Sequence, residues 1–271
     1  MLTFESVSEL SYQDYQAHQQ QAVSPAALRE QAERLRASDK FKYRDGNWQR
    51  MPYRGYALLS MLDNNPDNDA TEEALIRIQR RLVAQVPNPE AYFLLPPDSF
   101  HQTVANTVSA DRFQKHVGEP GLEPEYPTMI KRALEQIETE KTEKPLVMRL
   151  LGLSIFRSAL GILGVFDQSQ DFERIIQFRD QFYANPELNQ VDVRRTRPFI
   201  GHVTLAYVDG EFTPDDWGQL AKVCANLNKE LTVHPLFFNI AHTELRSYHH
   251  LAEFTSQVNY PVYSFVKSPA S

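Results

Sequence analysis

The sequence predicts an α+β protein of two pseudo-symmetric lobes, each a mainly antiparallel sheet with helices on its outer face, enclosing a central cleft. Three observations lead there. Apolar residues alternate in some segments and follow helical spacing in others. The order strand, helix, strand, helix, strand occurs twice along the chain. A His-x-Thr tripeptide stands in the second strand of each half, at His101-Gln102-Thr103 and at His202-Val203-Thr204.

The first 50 residues differ in character from the rest. Residues 11–38 are rich in Gln, Ala, Glu and Arg. Ser24 followed by Pro25 opens an N-capped polar helix. Its apolar positions are thin (Leu28, Leu35), so it reads as an appended surface helix on an N-terminal extension, residues 1–50. Asp45-Gly46 and Pro52 mark turns. Residues 51–271 read as a single bilobal domain, with lobe one about 51–156 and lobe two about 157–271.

Within lobe one, residues 56–62 (YALLSML) form a buried strand that DNNPDND breaks. Residues 71–86 carry apolar side chains at 74, 75, 78, 82, 83 and 86, a helical spacing with Thr71 as its cap. Four prolines (Pro87, Pro89, Pro96, Pro97) punctuate a loop before the strand 100–108. A helix follows over 126–140, with Ile130, Leu134 and Ile137 on one face, then strands over 146–156 and 159–166. The second round runs through a helix at 172–183, a basic loop closed by Pro198, and a strand at 199–208. A helix from Pro214 to about 231 and strands at 236–245 and 258–266 complete it.

Composition removes several classes. The chain has 271 residues, 42% of them hydrophobic, which is ample for a core. Its longest apolar stretch, 146–166, is broken by Arg149, Ser154, Arg157 and Ser158, so no span of roughly 18 residues is available for a membrane. The first ten residues lack a basic start and an apolar run, so no secretory signal is read. A single cysteine, Cys224, excludes a disulfide framework and a cysteine-based metal cluster, and the expected compartment is a reducing cytoplasm. The net charge of −7 argues against a coat for long nucleic acid, while leaving room for a nucleotide or RNA end in a local basic pocket. There is no glycine-rich phosphate loop, which argues against an ATP-driven ligase or a nicotinamide enzyme.

The paired tripeptides carry the chemistry. On a strand, side chains i and i+2 share a face, so each histidine projects with its threonine. Two strands facing across a cleft would bring four polar groups together. Cleaving a phosphodiester takes a proton from the nucleophile and gives one to the leaving oxygen, and histidine holds either form near neutral pH. Threonine hydroxyls can donate to non-bridging oxygens whose charge grows in the transition state. Nothing in this scheme requires a metal or cofactor. Among eight histidines, about one His-x-Ser/Thr arises by chance. The matched placement inside apolar strands carries the weight.

These two motifs in a bilobal α+β chain resemble the two-histidine (2H) phosphoesterase superfamily, with its LigT-like fold. The runs LLPPDSFHQTV and DKFKYRDGNWQRMPYRGYALLSML are similar to an uncharacterised bacterial branch of it, and the resemblance covers roughly residues 40–266. It implies that His101 and His202 are catalytic, that Thr103 and Thr204 bind phosphate, and that the reaction is metal-independent. A 2′,3′-cyclic nucleotide or an RNA terminus is the substrate class it implies. Gln102 departs from the usual apolar residue between His and Thr. HVTLAY is similar to the His-x-Ser/Thr-x-x-Tyr pattern of plant-type cyclic phosphodiesterases, which implies a role for Tyr207 at the phosphate. Strict alternation puts Tyr207 on the face opposite His202, so a bulge or twist is needed to bring it in. Asn106 is its counterpart in the first motif.

Other residues leave alternatives open. Arg149, inside an apolar strand, would bind a substrate phosphate or pair with a carboxylate at a strand edge. Arg194, Arg195 and Arg197 form a local basic patch or a solvated loop. Tyr53 and Arg54 are candidates for the cleft rim. His234, His242, His249 and His250 cluster late, at spacings matching neither HExxH nor a zinc ribbon. Two rivals to the phosphodiesterase reading follow. One is a nucleotide- or RNA-end-binding protein of the same fold without turnover. The other is a metal-dependent hydrolase built on the late histidines.

Overall fold

The computed structural model describes residues 7–267. The chain begins with α1 (Tyr12–Ala22) and α2 (Pro25–Glu33), capped by the Ser11 and Ser24 side chains, which accept from Asp14 N and Ala27 N. A hairpin of β1 (Phe41–Arg44) and β2 (Asn47–Arg50) follows. Its two-residue turn puts Asp45 at φ 51° and Gly46 at φ 78°, the left-handed pair that an Asp-Gly hairpin turn uses. Next come β3 (Gly55–Met61), α3 (Asp69–Val83), β4 (Tyr92–Leu94), β5 (His101–Ser109), the short α4 (Asp111–Phe113) and α5 (Tyr126–Glu135). The remainder is β6 (Leu146–Ile155), β7 (Ala159–Phe166), α6 (Ser169–Ala184), α7 (Pro186–Gln190), β8 (His202–Val208), α8 (Pro214–Val233), β9 (Leu236–Ile240), β10 (His242–Tyr248) and β11 (Val262–Ser264).

Two antiparallel sheets result. The first has the order β11-β10-β3-β5 and the second β4-β8-β7-β6-β9. Each sheet contributes one His-x-Thr strand, β5 and β8, and these two strands lie side by side at the junction. This is the expected α+β architecture of two antiparallel sheets around a central cleft. Most of the buried side chains join one continuous core that runs through both lobes.

The lobes are not consecutive halves of the chain, so the expected division near residue 156 does not describe the sheets. The first sheet takes β10 and β11 from the C-terminal end, while the second takes β4 and β6 from residues before the division. The segment 236–245, read as one strand, is two: β9 pairs with β6, and after Ala241 the chain enters the other sheet, where β10 pairs with β3. Side-chain alternation continues through such a change of partner, so the pattern alone does not reveal it.

The N-terminal extension is also more than a surface helix. Tyr15 and Leu28 are fully buried in the main core, and Tyr15 stacks on Phe172 with ring centres 4.6 Å apart. Tyr15 donates its hydroxyl to Gly164 O at 2.8 Å, and Gln19 Nε2 donates to Gly164 O at 2.9 Å and Gly201 O at 2.8 Å. The polar residues that suggested solvent exposure are instead the donors that satisfy strand carbonyls behind β8.

Candidate active site

His101 and His202 are the first residues of β5 and β8. Both strands carry a β-bulge at the same point after the motif. On β5 the register steps from Leu59 opposite Thr103 to Leu58 opposite Ala105, leaving Val104 as the extra residue. On β8 it steps from Gly161 opposite Thr204 to Leu160 opposite Ala206, leaving Leu205 extra. A bulge reverses the alternation beyond it. Val104-Ala105 and Leu205-Ala206 are accordingly buried in consecutive pairs, and Asn106 and Tyr207 turn back to the face of the histidines. The condition on which a role for Tyr207 depended is met.

All of these side chains line one cavity of about 600 Å³: His101, Thr103 and Asn106 from one strand, His202, Thr204 and Tyr207 from the other. The two histidines are held alike. His101 Nδ1 lies 2.7 Å from Ser99 O, and His202 Nδ1 lies 2.9 Å from Ile200 O. A carbonyl only accepts, so Nδ1 carries the hydrogen in both rings and Nε2 is left for the cavity. Phe254 meets the His101 ring edge-to-face at 4.5 Å, and Phe156 meets the His202 ring at 5.6 Å. Burial pulls both histidines down to about 4, assisted by the Arg197 charge, while the carbonyl contacts pull the other way. Arg246 adds to the effect at His101, and His101 itself to that at His202. Both rings are therefore neutral at pH 7, and a phosphate anion bound beside them would favour a proton on one of them.

Of the three arginines before the second motif, only Arg197 reaches this cavity. Arg194 pairs with Asp192 at 2.9 Å, and Arg195 pairs with Glu9 and Asp180. Arg197 has no carboxylate partner among the described residues. It has solvent access through the cavity, yet enough protein surrounds it that burial, and then the charge of Arg179, lower its pKa. Its backbone is fixed from behind. Buried Arg179 donates to Arg197 O at 3.0 Å and to Val104 O, at the β5 bulge, at 2.6 Å. Arg179 is balanced by Glu9 at 2.7 Å, which also accepts from Phe199 N at 2.6 Å. Tyr53 and Tyr248, rings 6.4 Å apart and nearly parallel, form another part of the wall.

Arg149 is a correction. It lies outside the cavity, on β6, where its guanidinium makes a two-pronged pair with Asp167 at 2.7 Å on each arm. That fork is already filled, which is the alternative the strand position allowed. The late histidines also fall apart in the fold. His234 caps α8, His242 begins β10, and His249 and His250 follow its end. Among the described residues no group of three or more His, Cys, Asp or Glu could hold a metal ion.

Residues 40–153 match the family model 2H-phosphodiest, described as a domain of unknown function (DUF1868). The resemblance to the two-histidine phosphoesterase superfamily holds. The matched segment contains the first motif and ends before the second. The fold is shared with a crystal structure of a conserved protein of unknown function from Agrobacterium tumefaciens str. C58. That similarity covers 80% of this chain and 88% of that chain, at 16% identity and a TM-score of 0.57. A crystal structure described only as a phosphoesterase is similar over 80% of this chain and 100% of that chain, at 15% identity and a TM-score of 0.42. No curated protein matches the chain. No helix among the described residues is long and apolar enough to cross a membrane.

Sequence reasoning reached the two histidines, the two threonines and Tyr207. It did not single out Arg197 from its two neighbours, because Glu9, Asp180 and Asp192, which engage the others, are set by the fold. It also passed over Phe254, whose contact with His101 depends on the turn after β10.

Proposed function

We propose that this chain is a metal-independent phosphodiesterase that hydrolyses a 2′,3′-cyclic phosphate, or a related ribose-linked phosphodiester, on a nucleotide or RNA end. The observation that carries the reading is the pair of Nδ1-anchored histidines in one cavity with two threonine hydroxyls and an arginine that has no carboxylate partner. One neutral histidine takes a proton from water through Nε2 as the water oxygen bonds to phosphorus. The other, protonated when the anion binds, gives its proton to the departing ribose oxygen as the P–O bond breaks. The product is a phosphate monoester with a free neighbouring hydroxyl. Thr103, Thr204 and Arg197 face the non-bridging oxygens, where negative charge grows. Tyr207, its pKa raised by burial, stays a hydroxyl donor. The protein's acidity confines the substrate to a local site, consistent with a small nucleotide or a strand end rather than long nucleic acid.

The test is hydrolysis of a panel of 2′,3′-cyclic nucleotides and cyclic-phosphate-ended oligonucleotides in the presence of EDTA. His101→Ala and His202→Ala should each lower kcat by about 10²- to 10⁴-fold with the fold intact. Turnover that survives both substitutions overturns the mechanism. Binding of a nucleotide monophosphate without any wild-type turnover would favour the non-catalytic binder of the same fold.

A further inference from the structure

Gln102 sits between the first histidine and its threonine, where the resemblance calls for an apolar side chain. It points away from the cavity and is fully buried. Its amide is engaged at both ends. Oε1 accepts from His202 N at 2.6 Å, and Nε2 donates to Ile200 O at 3.2 Å and to Thr103 O at 2.7 Å. Ile200 O is the same carbonyl that accepts from His202 Nδ1 at 2.9 Å. One side chain of β5 therefore holds both the main chain of His202 and the atom that orients its ring. β4 reaches only Ala206–Val208 along β8, and the His202 amide is met by Gln102 instead.

The arrangement is one-sided. Val203, the residue at the matching place in the second motif, is buried and apolar and has no polar group with which to return the contact. Ser99 O, the acceptor for His101, is not reached by Gln102. The two histidines thus have unequal supports: one rests on its own strand entry, the other on a side chain from the opposite lobe.

We propose that Gln102 is the positioning residue for His202, clamping the Ile200 carbonyl and the His202 amide so that Nδ1–H stays bonded and Nε2 faces the cavity. The clamp ties the second motif to the first across the lobe junction. Losing it frees the Ile200 carbonyl to turn and leaves the part-buried His202 N–H without this acceptor, a change that falls on His202 and spares His101.

The kinetic part rests on the proposed paired-histidine reaction, but the decisive readout does not. Histidine ring nitrogens are observed by ¹⁵N NMR in the full chain without ligand, in wild type and Gln102→Leu, with His101→Gln and His202→Gln giving the assignments. Wild type should show both rings with the hydrogen on Nδ1. In Gln102→Leu the His202 signals should move toward a mixture of tautomers while the His101 signals stay in place. Where turnover is measurable, kcat should fall about a hundredfold with little change in KM. A folded Gln102→Leu protein whose His202 signals match wild type overturns the clamp, whatever the activity. If that variant does not fold, hydrogen exchange in wild type decides. The His202 amide should exchange at least about a hundredfold slower than an unstructured amide, and free exchange there overturns the proposal.

Discussion

A histidine is useful for proton transfer only if its protonation can change within the reaction, and here both rings start neutral. Burial and Arg197 hold each pKa near 4, below the ordinary value of about 6.5. The proposed reaction needs one neutral and one protonated ring, so kcat/KM, which reports the free protein, should peak on the acid side of about 6.5 and fall as pH rises. A bound phosphate would raise the affinity of one ring for its proton, so the alkaline limb of kcat should lie at higher pH than that of kcat/KM. Coincident limbs would show that the phosphate does not reach the histidines. Stability runs the other way: the unfolded rings take protons more readily, so the ligand-free chain should lose stability as pH falls from about 6.5 toward about 4, a loss that thermal melts would follow.

The arginines separate by their partners. Arg197→Ala should lower kcat/KM by about 10- to 100-fold, the loss of a charge-assisted contact to phosphate. Arg149→Ala should leave turnover unchanged, since its guanidinium is spent on Asp167 in a partly exposed pair worth no more than about 1 kcal/mol. Equal losses in the two variants would remove Arg197 from the site.

At the scale of elements, the bulges on β5 and β8 decide what the cavity contains. Without the extra Val104 and Leu205, strict alternation would turn Asn106 and Tyr207 away from the histidines. The element behind β8 matters as much. Gly201 is enclosed so closely that a Cβ there would lie 2.5 Å from Gly164 O on β7, 2.7 Å from Met148 Sδ on β6 and 2.8 Å from the Tyr15 hydroxyl of α1. Since Gly164 O is β7 backbone, β7 or the entry to β8 must move. Gly201→Ala should therefore lower stability by about 1–3 kcal/mol, read as a drop in Tm, and lower turnover through the displaced His202. An unchanged Tm would mean that the packing around Gly201 yields freely and has no hold on the site.

At the scale of the molecule, the chain crosses between the sheets several times before it ends. β4 and β6 leave the first half to join the second sheet, and β10 and β11 return to complete the first. Neither half of the chain thus holds all the strands of either sheet. Fragments 1–156 and 157–271, expressed separately, should fail to give dispersed amide NMR spectra, because each leaves strands without their ladder partners. A folded fragment would restore the consecutive-lobe organisation. The same crossing explains why residues 40–153, though they contain the first motif, cannot by themselves build the cavity: His202, Thr204, Tyr207 and Arg197 come from later in the chain.

By itself the sequence determined the local features: the α+β class, most strands and helices, and the pairing of His101 with Thr103 and His202 with Thr204. These follow from side-chain periodicity, caps and turn residues, which act over a few residues. It also reached Tyr207, but only conditionally, because a bulge adds one residue without leaving a composition signal. What the tertiary structure decided is everything set by partners distant in the chain. Arg149 and Arg197 are the same residue type beside similar apolar runs, and Asp167 occupies one while the other opens on the cavity. Gln102 read as a flaw in the motif until the lobes placed Ile200 and His202 within its reach. Nothing near Glu9 or Gln19 in the chain announces that they meet the buried Arg179 and the Gly201 carbonyl. A polar side chain's role depends on which donor or acceptor the fold brings to it, and that choice is made by packing between sheets rather than by neighbours in the chain.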